Sequence, residues 1–305
     1  MDQKHAPIQA WKPLQFASLL GIGFFRLLVL LPWPVLRVLG RALGTFCYHL
    51  LPVRRRIVEA NLRPAFPTLS PGERKILARK HYQSVALGLM ETCRAWWCKP
   101  RDLPPHLIEG MENLDAALSR GRGALMLTAH MTTLEICARM LVDRRPFGGF
   151  YRDPNNPVIA QVMRKRRERE LSAAVPFDDL RGLVRALSAN NAMWYAPDQS
   201  KKTKLSEILP FFGEPAITNT ATSRIAKMSE CAVVPFVGYR RTDGSYHVVI
   251  LPALENFPSG DDNADAVRIN HILEGLIMNA PEQYLWLHKR YKARGPGYPD
   301  AYAKP

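Results

Sequence analysis

His130 and Glu135 lie five residues apart in Leu127-Thr128-Ala129-His130-Met131-Thr132-Thr133-Leu134-Glu135, between two apolar stretches. A histidine held by a carboxylate can act as a general base near neutral pH. The spacing restricts how the two can meet. On one continuous helix, residues five apart point about 140° away from each other. They meet only if His130 precedes the helix and Glu135 lies in its first turn. Thr132-Thr133-Leu134-Glu135 fits a capping box with Thr132 as N-cap, which turns the glutamate back toward the entering chain. A plainer reading also fits: Glu135 only caps the helix, and His130 only ends a strand.

Arg152 and Asp198 fall at similar places, each at the end of an apolar run. If those runs are parallel strands beside the one ending before His130, all three residues share the sheet edge where open α/β sheets bind ligands. Arg164-Lys165-Arg166-Arg167-Glu168-Arg169 puts five bases in six positions. On a helix they fan around the axis, so only some face one site, and at least one can donate in bidentate fashion to a phosphate or a buried carboxylate. Tyr284 to Lys292 mixes aromatics with bases, a pattern shared by membrane-interface belts and single-stranded nucleic-acid platforms.

The elements that must position these residues are legible as alternating short strands and helices from about Leu107 onward. Strands are expected at Ala124–Ala129, Gly149–Arg152, Met193–Ala196, Ala232–Tyr239 and Tyr246–Leu251. Helices are expected at Thr133–Val142, Pro157–Glu170, Leu180–Ala189, Asn219–Ser229 and Ala264–Asn279. The alternation argues for an α/β fold. Asp243-Gly244 predicts a hairpin between the last two strands, which makes the central sheet mixed. Upstream, Ser70-Pro71-Gly72-Glu73 starts a helix that runs to about Trp97.

The chain has 305 residues and a net charge of +15, which asks for an anionic partner. Its five cysteines form no CxxC, which suits reduced thiols facing the cytoplasm rather than a disulfide framework or a zinc site. Leu14 to Leu31 is nearly all apolar, broken by Arg26 and closed by Pro32 and Pro34, and Arg54-Arg55-Arg56 follows. This predicts a helical membrane anchor over residues 1–53, either spanning or lying in the interface, with the remainder, 54–305, on the cytoplasmic side. The bases accompany a membrane segment and no nucleic-acid reader motif is present, so nucleic acid is not the expected partner.

Several blocks in order resemble a known family: His130-x4-Glu135, Tyr151-Arg152-x3-Asn156-Pro157, Arg167-x-Arg169, Tyr195-Ala196-Pro197-Asp198, Pro210-Phe211-Phe212-Gly213, and Pro281-Glu282-Gln283-Tyr284-x-Trp286-Leu287-His288-x-Arg290-x-Lys292. Together they look like the late acyltransferases of lipid A biosynthesis, within the lysophospholipid acyltransferase-like group. Thr133-Leu134-Glu135 resembles the lauroyl branch more than the myristoyl one. The resemblance implies a glycerolipid-acyltransferase-like fold: a mixed central sheet flanked by helices behind an N-terminal helical membrane anchor. It also implies an inner-membrane enzyme whose catalytic domain faces the cytoplasm and which works in lipopolysaccharide biosynthesis. The acyl group would pass from acyl carrier protein to a hydroxyacyl chain of a lipid A precursor, with membrane phospholipid as a further partner. By position, His130 and Glu135 would be catalytic. Arg152, Asn156, Arg167 and Asp198 would bind substrate or stabilise the oxyanion. One departure stands out: the family often has a second acid and a glycine after the aspartate, where this chain has Gln199-Ser200-Lys201-Lys202.

The implied chemistry is direct transfer. His130 takes the hydroxyl proton as the oxygen attacks the thioester, Glu135 fixes the imidazole, and donors meet the developing oxyanion. This needs no metal and no cofactor beyond the acyl thioester as co-substrate. Two alternatives stand beside it: an acyltransferase acting on another lysolipid or glycolipid, and a membrane-anchored module that binds lipid or carrier protein without chemistry.

Overall fold

The computed structural model describes residues 13–295 and 297–303; the first twelve residues of the expected anchor lie outside them. Four helices come first: α1 (Pro13–Leu28), α2 (Trp33–Leu50), α3 (Pro52–Ala65) and α4 (Pro71–Trp97). The α/β part follows with β1 (His106–Glu109), α5 (Met111–Ser119), β2 (Ala124–Leu127), α6 (Leu134–Val142), β3 (Gly148–Tyr151), α7 (Pro157–Glu170), β4 (Ala174–Pro176), α8 (Leu180–Ser188) and β5 (Ala192–Tyr195). It closes with β6 (Ser206–Phe211), β7 (Glu214–Asn219), α9 (Ala221–Ser229), β8 (Ala232–Arg240), β9 (Tyr246–Ile250) and α10 (Asp262–Met278).

Seven strands form one sheet in the order β1-β9-β8-β2-β5-β3-β4. Every neighbouring pair is parallel except β8 and β9, the expected hairpin, so the sheet is mixed. β2 lies at its centre and is buried on both faces, as a continuous apolar run should be. Leu125 and Leu127 point to the side covered by Leu183 and Leu187 of α8, Ile225 of α9 and Leu273 of α10. Ala124 and Met126 point to the other side, against Leu114 and Leu118 of α5 and Leu141 of α6. Each such leucine removed from water contributes roughly 1.5–3 kcal/mol, which holds the C-terminal end of β2 rigidly in place. β6 and β7 form a separate hairpin whose turn, Phe212-Gly213, has φ of 50° and 75°, the left-handed geometry that a two-residue hairpin turn requires.

The N-terminal region departs from expectation. Among the described residues, no helix is long and apolar enough to cross a membrane. Pro32 ends the first apolar segment, and α1 has 16 residues, a length of about 24 Å against a hydrocarbon core of about 30 Å. α1 instead leaves Leu14, Phe16, Leu20, Phe24 and Leu27 exposed, and α2 leaves Val38 and Phe46 exposed. The opposite side of α2 packs along α4, where Gly40 and Gly44 let the helices approach closely. Arg37 and Trp33 of α2 donate to carbonyls of the β8–β9 turn and tie the helix to the sheet. The start of α4 matches the sequence: Ser70 and Glu73 form the reciprocal capping box, with Pro71 in the first turn.

Candidate active site

β2, β5 and β3 are adjacent parallel strands, so their C-terminal ends open on one edge. His130 follows β2, Asp198 follows β5 and Arg152 follows β3, the convergence that the sequence suggested. His130 and Asp198 are in direct contact. The imidazole Nδ1–H donates to Asp198 Oδ1 at 2.6 Å, and the His130 backbone N–H donates to Oδ2 at 3.1 Å. The Tyr284 hydroxyl lies near Asp198 and favours its charged form. Burial alone disfavours the imidazolium, but the Asp198 charge and hydrogen bond outweigh it and raise the His130 pKa above its ordinary value. Burial likewise opposes ionisation of Asp198, but the charge and donors of His130 bring its carboxyl below the usual range. The Asp198 side chain is fully shielded, whereas 31% of the His130 side chain remains open to solvent. An ionised Asp198 on Nδ1 fixes the proton there and leaves Nε2 free to accept one.

The expected pairing of His130 with Glu135 is not formed. Glu135 Oε1 accepts from Arg167 at 2.6 Å, and its Oε2 accepts from the Trp96 indole at 3.0 Å. The capping box is absent as well. Thr133, not Thr132, is the N-cap of α6, and it makes no side-chain cap bond. Its hydroxyl donates instead to the Gly238 carbonyl at 2.6 Å, while the Thr132 hydroxyl pairs with Ser84 at 2.7 Å. With both threonines engaged elsewhere, nothing holds Glu135 toward the helix entrance. A guanidinium partner, offering a charge-assisted bond, draws it outward.

The segment carrying His130 is clamped from behind. Thr132 N–H donates to the Gln283 carbonyl at 2.7 Å, and Leu285 N–H donates to the His130 carbonyl at 3.0 Å. The Gln283 side chain bonds both the N–H and the carbonyl of Arg240 at 2.9 Å. The Arg240 guanidinium is paired with Glu91 and donates to Ser84, and the Tyr246 hydroxyl donates to the same Glu91. Gly88 allows α4 to come this close: a Cβ there would sit 2.6 Å from the Thr132 carbonyl oxygen. His288 is half-buried, and that desolvation lowers its pKa to about 4, so its neutral Nε2 accepts the Ser200 N–H at 3.1 Å.

His130 opens into a cavity of about 360 Å³, within the usual range for small-molecule sites. Phe150, Phe177, Leu171 and Trp194 supply apolar wall, and Arg152, Arg167, Gln199, Lys201 and Asn219 supply polar wall. The Arg167 guanidinium also lies 4.4 Å from the centre of the Tyr151 ring. Asn156 is not part of that wall. It caps α7 by accepting from the N–H groups of Val158 and Ile159, and its amide donates to Ser18 of α1. Among the described residues, no group of three or more His, Cys, Asp or Glu side chains is placed to hold a metal ion. All five cysteines are free. The roles of Tyr284, Trp96 and the Glu91–Arg240 pair had no local signal, because each partner comes from a distant part of the chain.

Similarity to known proteins was found over nearly the whole chain. The family model for bacterial lipid A biosynthesis acyltransferases matches residues 4–293. The lipid A biosynthesis lauroyltransferase of Escherichia coli K12 is 37% identical over 95% of this chain and 96% of that protein. The palmitoleoyltransferase of the same organism is 35% identical over 95% of both chains. Its myristoyltransferase is 25% identical over 93% of this chain and 90% of that one. A solved 1-acyl-sn-glycerophosphate acyltransferase from Thermotoga maritima covers 79% of this chain and 97% of its own, at 12% identity and a TM-score of 0.37, too low to bear on the fold.

Proposed function

Because the chain belongs to the bacterial lipid A biosynthesis acyltransferase family, we propose that it transfers a fatty acyl group from acyl carrier protein to a hydroxyacyl chain of a lipid A precursor, with His130 as the base. The observation that carries this reading is an imidazole held by a buried carboxylate at the wall of a half-apolar cavity. The cavity's apolar side suits the acyl chain. His130 Nε2 takes the acceptor hydroxyl's proton as the oxygen attacks the thioester carbonyl. Asp198 stabilises the imidazolium that forms, and the proton then passes to the departing thiolate.

Arg167 is the most suitable donor to the developing oxyanion, since it lines the cavity and is held from two sides by Glu135 and the Tyr151 ring. Glu135 then contributes by orienting Arg167 rather than His130. Asn156 contributes by fixing the start of α7, the helix that carries Arg167. The acyl thioester is the co-substrate, and the reaction needs no further cofactor. The exposed apolar side chains of α1 and α2 rest in the cytoplasmic face of the inner membrane, with Arg26 and Arg54 to Arg56 near phospholipid headgroups. In that arrangement residues 1–53 meet the membrane and residues 54–305 carry the chemistry.

The test is acyl transfer in vitro from a panel of acyl-carrier-protein thioesters to a defined lipid A precursor, read by mass spectrometry of the lipid. The wild type should yield acylated product and His130→Ala none, with both proteins folded. A folded His130→Ala protein with near-normal turnover would refute the base assignment. Product formed only with another lysolipid would refute the acceptor.

A further inference from the structure

The charges around the cavity do not balance. His130 is matched by Asp198 and Arg167 by Glu135. Arg152 and Lys201 also line the cavity, yet among the described residues neither has a carboxylate partner, and no Asp or Glu lies in the cavity wall. The two are linked through the fold. Lys201 Nζ sits 4.1 Å from the centre of the Phe177 ring. The Phe177 N–H donates to the carbonyl of Tyr151, the residue before Arg152, at 2.7 Å.

The loop bearing Lys201 is anchored rather than loose. Ser200, just before it, is buried and receives a hydrogen bond from the Arg290 guanidinium at 2.8 Å. The Lys201 carbonyl accepts from the Ser206 hydroxyl at 2.9 Å. Two cations lining one cavity without carboxylate partners, one a planar fork and one a point charge, favour an anion with several oxygens.

We infer that Lys201 and Arg152 form a phosphate-binding subsite that holds a phosphate ester carried by one of the two substrates while its reacting end lies at His130. The assignment rests on the acyl-transfer reading, in which two sources of phosphate exist: the phosphopantetheine arm of the donor and the sugar phosphate of the acceptor. Lys201 is exposed, so its contact is partly screened and lies at the low end for charged hydrogen bonds, about tenfold in affinity.

The experiment compares wild type, Lys201→Gln and Lys201→Arg in the full chain. The donor is offered as acyl carrier protein thioester and as the phosphate-free acyl-pantetheine. The acceptor is offered intact and after phosphatase treatment. The expected result is a KM raised about tenfold by Lys201→Gln for one phosphate-bearing substrate, with kcat within about twofold and recovery in Lys201→Arg. The penalty should vanish with the phosphate-free form of that substrate, which identifies the source. Equilibrium dialysis with labelled inorganic phosphate needs no turnover and keeps two failures apart. A wild type that transfers nothing yet binds phosphate about tenfold more tightly than Lys201→Gln retains the subsite and refutes the acyl-transfer reading. Unchanged KM values together with equal phosphate binding overturn the subsite, as does a penalty that persists with both phosphate-free substrates.

Discussion

Replacing Asp198 by asparagine keeps the size of the side chain but removes the charge on which His130 depends. The buried carboxylate accepts two hydrogen bonds from His130, one of them at 2.6 Å from Nδ1. An asparagine amide facing Nδ1 drives the imidazole to the other tautomer and puts a hydrogen on Nε2, where a lone pair is needed. The same change in a fully shielded triad lowers kcat by about 10⁴. Here 31% of the His130 side chain meets solvent, and water compensates part of the loss. We therefore expect a fall in kcat of about 10² to 10³, or roughly 3–4 kcal/mol of barrier. The pH profile supplies a second signature. In the wild type the acid limb of kcat/KM lies above the ordinary histidine value, because Asp198 raises the His130 pKa. In Asp198→Asn burial acts alone and the limb moves to lower pH. Glu135→Gln should lower kcat by about tenfold through Arg167 and leave the limb in place. The assay is initial rates across pH for the three proteins, with circular dichroism to verify folding. If Glu135→Gln moves the limb and Asp198→Asn does not, Glu135 is the partner of His130 during turnover and the reasoning fails.

Further outcomes follow from the same geometry. Gly88→Ala forces a methyl against the Thr132 carbonyl, so stability should fall by about 1–3 kcal/mol by urea midpoint, with a parallel loss of kcat. Glu91→Ala strands the Arg240 guanidinium, whose side chain is 6% exposed, and should cost about 3–5 kcal/mol, partly recovered by Glu91→Leu with Arg240→Met. The His130–Asp198 pair stabilises fully between about pH 4 and 6.5, the unfolded carboxylate and histidine values. That contribution is lost as pH falls through the lowered Asp198 pKa and as it rises through the raised His130 pKa, so chemical denaturation of Asp198→Asn should vary less with pH. Leu20→Glu with Phe24→Glu should reduce sedimentation with anionic vesicles without changing the denaturation midpoint, since both side chains are exposed.

Much of the fold was legible because it is locally encoded. The apolar run at β2, the cap at Ser70 and the Asp243-Gly244 turn each act over a few residues, and all three appear in the structure. The β6–β7 hairpin was not anticipated, since Phe212 is not a usual left-handed residue and the Glu274 carboxylate that accepts its N–H comes from α10. The N-terminal segment expected to be a membrane anchor illustrates the converse. Its composition is largely apolar, but Pro32 divides it, and one face of α2 is committed to α4.

By itself the sequence determined the central strands with the helices between them, the family, and the placing of His130, Arg152 and Asp198 at strand ends, because periodicity and motif order are properties of the chain; the short strands β1, β4, β6 and β7 and the helix α5 carried too little pattern to be read. Only the tertiary structure decided which carboxylate meets the histidine. Glu135 is near in sequence, but Arg167 and Trp96 pull it away. Asp198, 68 residues distant, is delivered to His130 because β5 pairs in parallel with β2. Strand order and competition for a guanidinium are properties of the assembled sheet, and no local spacing encodes them.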